Sequence, residues 1–433
     1  MKKRTYIVWG MLLAFIISCS NETDQKSSNN EKKQNVIQSV SNKRTYQEAL
    51  EIAQNSISIL EKGDGVIKNS SIKRIIDKNP IIVGSKHNQM RSVTTFNDTL
   101  LYVFNFINDN GFAVISASKD TESILAITEN GHYSFSEQSE IEGLNIFMDL
   151  AKNYVMMSHP PLDPRPPYDF TDIKDSIAVH ESYTGPFVTV QWGQQDPEGV
   201  YCPNYTSGCA NTAMAQVMSY YEYPASINLT YEGADLTTQI LDWTEMKKHV
   251  NIYNHPSCLA SQDAHNAIGR LCRQLGEISN SDYNSPTETK TSSLNAKITL
   301  QLLGFQTSGW NDYNTTSLIG NMYQNRAVLM IGSRIKENNE LASHMWVLDR
   351  LLTRTTEVFT WSKGALDLEW NLVYYNVLTS HYFHFNWGYN GANNGYFCEN
   401  VFNTSNVINP DTNINYIDRD YNINVKYLAV YLE

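Results

Sequence analysis

The chain has 433 residues, of which 41% are hydrophobic and 18% charged, with 26 tyrosines and a net charge of −12. That length accommodates two domains with substantial cores, and the composition suits an extracellular α+β protein better than a disordered or fibrous one. The acidic balance comes without a basic stripe to neutralise phosphates, so no nucleic-acid partner is expected.

At the N-terminus Lys2-Lys3-Arg4 precede an apolar core from Ile7 to Ile17, too short to span a bilayer comfortably, that ends in Ser18-Cys19. Residues 1–18 read as an export signal and resemble the bacterial lipoprotein type, in which the cysteine is diacylated and becomes the new N-terminus. Acylation of Cys19 would attach the chain to a membrane surface, since stable anchoring takes more than one acyl chain. The other reading is an ordinary secretory signal with Cys19 incidental. Residues 19–44 are polar and read as a tether.

Tyr46, Leu50, Ala53, Ile57 and Leu60 recur at helical spacing and predict an amphipathic helix. Leu100–Phe104 and Phe112–Ser116 read as strands, and the Asn110-Gly111 pair in the loop between them predicts a hairpin. Leu144, Phe147, Met148, Ala151 and Val155 share one face of a second helix over 144–157. The prolines from Pro160 to Pro167 then stop regular structure and read as an extended, exposed linker. The expected organisation is a small α+β module over 45–157, a Pro-rich linker over 158–184, and a larger domain over 185–433.

The most informative stretch is Ser207-Gly208-Cys209, followed by Met214, Val217, Met218 and Tyr221 at helical spacing. With Ser207 as N-cap, Cys209 falls in the first turn, where free N–H groups and the helix dipole favour a thiolate. Such a residue reads as a nucleophile, although a lone cysteine is as readily a packed core residue. His344 opens an apolar, strand-like run 135 residues after Cys209, and papain-like enzymes place their histidine roughly 130–150 residues after the nucleophile. Taken alone, a histidine on a strand is more often a satisfied core residue. Asn386 in Phe385-Asn386-Trp387-Gly388 offers an amide that can accept the imidazole N–H, with Trp387 keeping water off that contact. A strand end entering a turn fits the same residues locally.

The cysteines are Cys19, Cys202, Cys209, Cys258, Cys272 and Cys398, without close CxxC pairs, and neither an HExxH nor an EF-hand loop occurs. No metal and no cofactor is therefore expected. Whether Cys202, Cys258, Cys272 and Cys398 pair is left open.

Together these segments resemble the streptopain family of papain-like cysteine peptidases. The matching residues are Gly208-Cys209 with Thr212–Met218 and Tyr221–Pro224, His344–Asp349, and His384–Gly388. Trp192-Gly193-Gln194 with Pro197 and Cys202-Pro203 fits the family's upstream pattern, with smaller echoes at Asp242-Trp243 through Met246 and at Leu275-Gly276 through Asp282-Tyr283. The resemblance implies an α+β, papain-like fold in which a helical part carrying Cys209 packs on an antiparallel sheet or barrel carrying His344. It also implies that Gln194 supplies a side-chain amide to an oxyanion hole, and that protein or peptide substrates are hydrolysed through a thioester. Gly111–Ala117 and Ile124-Leu125-Ala126 resemble the propeptides and stand-alone inhibitors associated with that family, which makes 45–157 an intramolecular inhibitor of a zymogen. With a lipid on this segment, processing would release the enzyme from the envelope. Two departures stand out: Asp349-Arg350 where the family usually has Asp-Gly, and Tyr389 where it has tryptophan. Transglutaminase- or amidase-type acyl transfer, and a lipid-anchored binding protein on a protease scaffold, are the other classes compatible with the residues.

Overall fold

The computed structural model describes residues 42–63, 74–77, 79–84, 99–134, 139–157, 172–250, 260–336, 338–363, 369–403 and 423–432. The export signal, Cys19, most of the tether and Cys258 lie outside the described residues. The described residues within 43–161, 181–354 and 380–433 form one unit, and those within 172–180 and 355–379, with Asn42, form another.

The first unit begins with α1 (Tyr46–Gly63), β1 (Ile81–Gly84), β2 (Thr99–Asn105), β3 (Phe112–Ser116), β4 (Ile124–Thr128) and α2 (Glu142–Met157). The hairpin expected from Asn110-Gly111 is β2–β3, in register from Leu101 opposite Ser116 to Asn105 opposite Phe112. Gly111 is required where it stands, because its φ is +103° and a Cβ would strike the Thr128 carbonyl. In α2 the expected face of Leu144, Phe147, Met148, Ala151 and Val155 is buried. α1 is rotated slightly from its expected face, with Ala49, Ala53 and Leu60 buried while Tyr46 is exposed.

After β5 (Asp172–Thr184) come α3 (Cys209–Tyr221), β6 (Ser226–Asn228), β7 (Thr238–Ile240), α4 (Trp243–Met246), α5 (Gln262–Ile278) and α6 (Ser293–Leu302). They are followed by β8 (Gln306–Thr307), β9 (Asn311–Asp312), α7 (Thr315–Tyr323), β10 (Ala327–Ile335) and β11 (Leu341–Lys363). The last strands are β12 (Asn371–Asn386), β13 (Gly395–Cys398) and β14 (Asn424–Tyr431). The segment expected to be linker thus includes a strand from 172 to 184, and the prolines themselves lie outside the described residues. Asp349-Arg350 makes no turn either. Both residues are buried within β11, whose bounds are Leu341–Lys363.

One sheet runs in the order β1-β2-β3-β4-β13-β12-β11-β10-β14-β8. The N-terminal strands join it where β4 pairs antiparallel with β13, Ile127 opposite Tyr396. Gly395 permits that approach, since a Cβ there would run into the backbone at Ile127 and Thr128. On one side of the sheet a core joins α2 to Trp346, Phe385, Trp387 and Phe397, with Phe147 edge-on to Phe397 at 4.8 Å. A second core gathers α3, α5 and α6 around Met214, Met218, Ile268, Leu271 and Leu300. This is the α+β arrangement expected, a helix carrying Cys209 packed on an antiparallel sheet carrying His344, except that the N-terminal module extends the sheet itself.

The other unit contains the β5, β11 and β12 residues at 172–180, 355–363 and 371–379. Within it Glu357 holds the Tyr375 hydroxyl at 2.8 Å and His180 Nε2 at 3.2 Å.

Candidate active site

Cys209 is the first residue of α3, and its N-cap is Gly208 at φ +85°, not Ser207. A Cβ on Gly208 would lie 2.7 Å from the Thr289 carbonyl oxygen, so conformation and space both require glycine. The Ser207 hydroxyl is engaged elsewhere, 2.8 Å from Thr212 Oγ1 and 3.2 Å from the Gln194 carbonyl, which ties α3 to the Gln194 segment.

The thiol has not taken the charge expected of it. Burial raises its pKa, outweighing favourable contacts with the backbone N–H groups of Met345, Ala210 and Cys209 itself. The helix end therefore acts in the expected direction, but desolvation is the larger effect. Contact with the Met345 amide also places the sulfur beside the residue that follows His344.

His344 is buried on β11, opposite Gly332 of β10. Its Nε2 donates to the Trp387 carbonyl at 2.8 Å, and since a carbonyl can only accept, Nε2 carries the proton. Burial lowers its pKa to about 4, only partly offset by that hydrogen bond, so the ring is neutral at physiological pH. Among the described residues neither ring nitrogen is hydrogen-bonded to Cys209. Asn386 is likewise committed away from the imidazole. Its Nδ2 donates to the Val190 carbonyl at 2.7 Å, and its Oδ1 accepts from Gln216 Nε2 and the Gly388 amide, each at 3.2 Å. Trp387 is fully buried and holds Asn393 through its indole N–H at 3.0 Å. The side chain of Gln194 keeps a buried Nε2 without a hydrogen-bond partner.

The start of α2 lies against this arrangement. A Cβ on Gly143 would overlap the Trp387 ring and lie 2.9 Å from His344 Cδ2, so the start of α2 rests directly on both. Arg334 of β10, itself buried, pairs with Glu142 and reaches Asp149 at 3.3 Å, holding both ends of the same helical face. Gly332 beside it makes room for Trp346 and for Ile146 of α2, which would lie 2.9 and 3.1 Å from a Cβ there.

A second contact between the N-terminal module and the sheet escaped the sequence reading. Buried His384 holds Asp349 through Nδ1 at 2.5 Å and Glu129, just past β4, through Nε2 at 3.1 Å. Burial alone would lower the His384 pKa, but the Asp349 and Glu129 carboxylates raise it to about 9. Burial alone would raise that of Glu129, but the charge and hydrogen bond of His384, with Arg350 and Arg74, pull it down to about 2. Arg350, the residue in place of the family's glycine, donates to the Tyr396 hydroxyl at 3.1 Å behind this pair. The only sequence signal was a histidine in an aromatic run, which carries no hint of a carboxylate 255 positions away.

Cys202, Cys209, Cys272 and Cys398 are free thiols. Among the described residues no group of three or more His, Cys, Asp or Glu side chains could hold a metal ion. The two smaller echoes are structural. Asp242 caps α4, and Gly276 leaves room for the Tyr283 hydroxyl.

Residues 191–397 match the model of the Peptidase C10 family and residues 21–155 that of the Spi protease inhibitor. Among solved structures, a prointerpain A fragment of Prevotella intermedia is similar at 15% identity and a TM-score of 0.45, over 81% of this chain and 98% of that one. The active interpain A cysteine protease of the same organism is similar at 17% identity and a TM-score of 0.36, over 57% and 94%. No curated protein matches the chain. Cys209 and His344 both lie within the segment that matches the Peptidase C10 model, and all but the last two residues of α2 within the inhibitor-type one, so the chain carries a segment of cysteine-peptidase type behind an inhibitor-type pro-region.

Proposed function

We propose that the chain is a latent cysteine endopeptidase in which the pro-region inhibits the catalytic domain in cis. One observation carries this reading: the start of α2 lies on Trp387 and His344, while the His344 ring bonds a backbone carbonyl in place of the thiol. Thiol and imidazole are both neutral and mutually unbonded, which is a site without a nucleophile. Removal of α2 frees the ring to turn so that its nitrogens face Cys209 and Asn386. Water then reaches the thiol and relieves the desolvation that keeps it protonated.

In the released enzyme Cys209 attacks the scissile carbonyl as a thiolate. The oxyanion is met by the Cys209 backbone N–H and by the Gln194 amide, each donor worth on the order of 3 kcal/mol. His344 then protonates the leaving amine and later activates the water that hydrolyses the thioester. Asn386 orients the imidazole and Trp387 shields that contact. The domain boundaries at 45–157, 158–184 and 185–433 follow from this division of labour.

The test is a quenched peptide offered together with a primary amine to the full chain after limited proteolysis. Cleavage with free acid products supports the reading. Amine conjugates without cleavage would move the chain to the acyl-transferase class, and no turnover with an unlabelled thiol would favour a binding protein. Inhibition in cis has its own prediction. Leucine at Gly143 cannot fit against Trp387, and overpacking of this kind costs on the order of 1–3 kcal/mol. In the unprocessed chain Gly143→Leu is expected to raise the iodoacetamide labelling rate of the Cys209 peptide roughly tenfold. An unchanged rate would show that α2 does not guard the site.

Export and attachment belong to the same proposal. The supporting observations are the basic residues, short apolar core and Ser18-Cys19 of the first 19 residues. Loss of incorporated fatty acid in Cys19→Ser, with cleavage activity retained, is the expected result.

A further inference from the structure

Gly332 of β10 stands opposite His344 of β11, and Arg334, two residues further along β10, lies on the same face of the sheet. One face of α2, made by Glu142, Gly143, Ile146 and Asp149, covers this strip. Gly143 rests on Trp387 and the His344 ring, and Ile146 lies over Gly332. A peptide that reaches the His344 ring must therefore lie where that helix face now lies. Among the described residues both ion pairs of Arg334 are made with the same face. Its Nε and Nη2 fork onto the two oxygens of Glu142, the second at 3.4 Å, and Nη1 reaches Asp149 at 3.3 Å. Asp149 has a cation of its own in Lys152 at 2.6 Å, which leaves Glu142 as the carboxylate that depends on the guanidinium.

Arg334 is 7% exposed, and departure of α2 takes both carboxylates from it. A planar guanidinium stripped of its counter-charge beside a cleft is matched to a new carboxylate, which it can hold through two parallel hydrogen bonds. We propose that Arg334 is the specificity-determining residue of a subsite for an acidic side chain of the substrate, and that Glu142 occupies this subsite in the latent chain. Two residues of strand separate Arg334 from the position opposite His344, about 7 Å, so the acidic side chain belongs within about three residues of the scissile bond. Neighbours in sequence, Glu142 and Gly143 thus fill the specificity site and cover the catalytic histidine together. This inference rests on the peptidase reading and names a substrate class for the same site.

The experiment offers the full chain, activated by limited proteolysis, pairs of quenched peptides that differ only by Glu or Gln at one of three positions on either side of the cleaved bond. At one position the glutamate peptide is expected to exceed its glutamine partner roughly tenfold in kcat/KM, the gain of one charge-assisted hydrogen-bonded pair. In Arg334→Gln that ratio should fall to within about twofold. Arg334→Met, whose side chain needs no hydrogen-bond partner, is expected to read the same and stands in should the glutamine variant fold poorly. Each reading is a ratio of two peptides on one preparation, so incomplete activation or partial unfolding cancels. Ratios within twofold at every position in the wild type, or a tenfold ratio that survives in either variant, would overturn the subsite and leave the peptidase reading standing. A wild type that cleaves none of the peptides after activation would instead overturn the peptidase reading, and the subsite with it.

Discussion

Alanine in place of Cys209 is expected to remove peptide hydrolysis by the activated chain, by a factor on the order of 10⁵ in kcat. The sulfur is the one protein atom in the proposed mechanism that bonds to the substrate's acyl carbon. What remains in the variant is an oxyanion hole and a binding surface, which together do little without a nucleophile. The stability cost should be small. Cys209 is partly buried and its sulfur meets the Met345 amide, so the loss is one weak contact, about 1 kcal/mol or less. Activity and thermal midpoint measured on the same preparation separate the two effects. Hydrolysis retained at even a hundredth of the wild-type rate would place the chemistry on another residue. Asn386→Ala, by contrast, should weaken turnover without abolishing it, since orientation of the imidazole is one contribution among several.

The second large effect concerns the seam between the pro-region and the sheet. In Glu129→Gln the protonated His384 keeps Asp349 but loses its other carboxylate, and breaking one side of a buried charge cluster costs about 3 kcal/mol. The sign of the pH dependence follows from the two shifts. His384 is raised from 6.5 to about 9 in the folded chain, so its contribution is complete below about 6.5 and is lost as the pH climbs through about 9. Glu129 is lowered from 4.5 to about 2, so its contribution is present above about 4.5 and is lost as the pH falls toward about 2. The seam is therefore strongest between these two windows. Arg350 and Arg74 add to the hold on Glu129, while the Tyr396 phenol stays neutral across the range because burial raises its pKa. Urea unfolding of the full chain at about pH 6 and at about pH 9.5 should show a wild type that loses stability at the higher pH. Glu129→Gln should be weaker at about pH 6 and lose less between the two, with part of the decline remaining because Asp349 still raises the His384 pKa. A variant with the wild-type alkaline decline would exclude His384–Glu129 as its source.

Much of the molecule can be read along the chain because local physics writes it there. The 3.6-residue spacing of Leu144, Phe147, Met148, Ala151 and Val155 specifies the buried face of α2 whatever lies opposite. Turn chemistry at Asn110-Gly111 specifies the β2–β3 hairpin, and the order and spacing of Cys209, His344 and Asn386 point to thiol hydrolase chemistry before any fold is known, with Gln194 added only by the family resemblance. Capping was less legible. Ser207 has the right chemistry for an N-cap, but its hydroxyl bonds Thr212 and the Gln194 carbonyl, and a left-handed glycine takes the capping position.

What the sequence determined by itself is the candidate reactive groups, several of the helices and strands that carry them, and the presence of an inhibitor-like module. Only the tertiary structure decided their state. Local position favours a charged Cys209, whereas burial leaves it a neutral thiol beside a neutral His344 whose proton is given to the Trp387 carbonyl. Pairing of β4 with β13 and the meeting of Glu129, Asp349 and His384 join segments far apart in the chain, and no periodicity encodes such contacts. The reason is that desolvation and charge pairing depend on which surfaces meet in space, while spacing along a chain records only which face of each element is apolar.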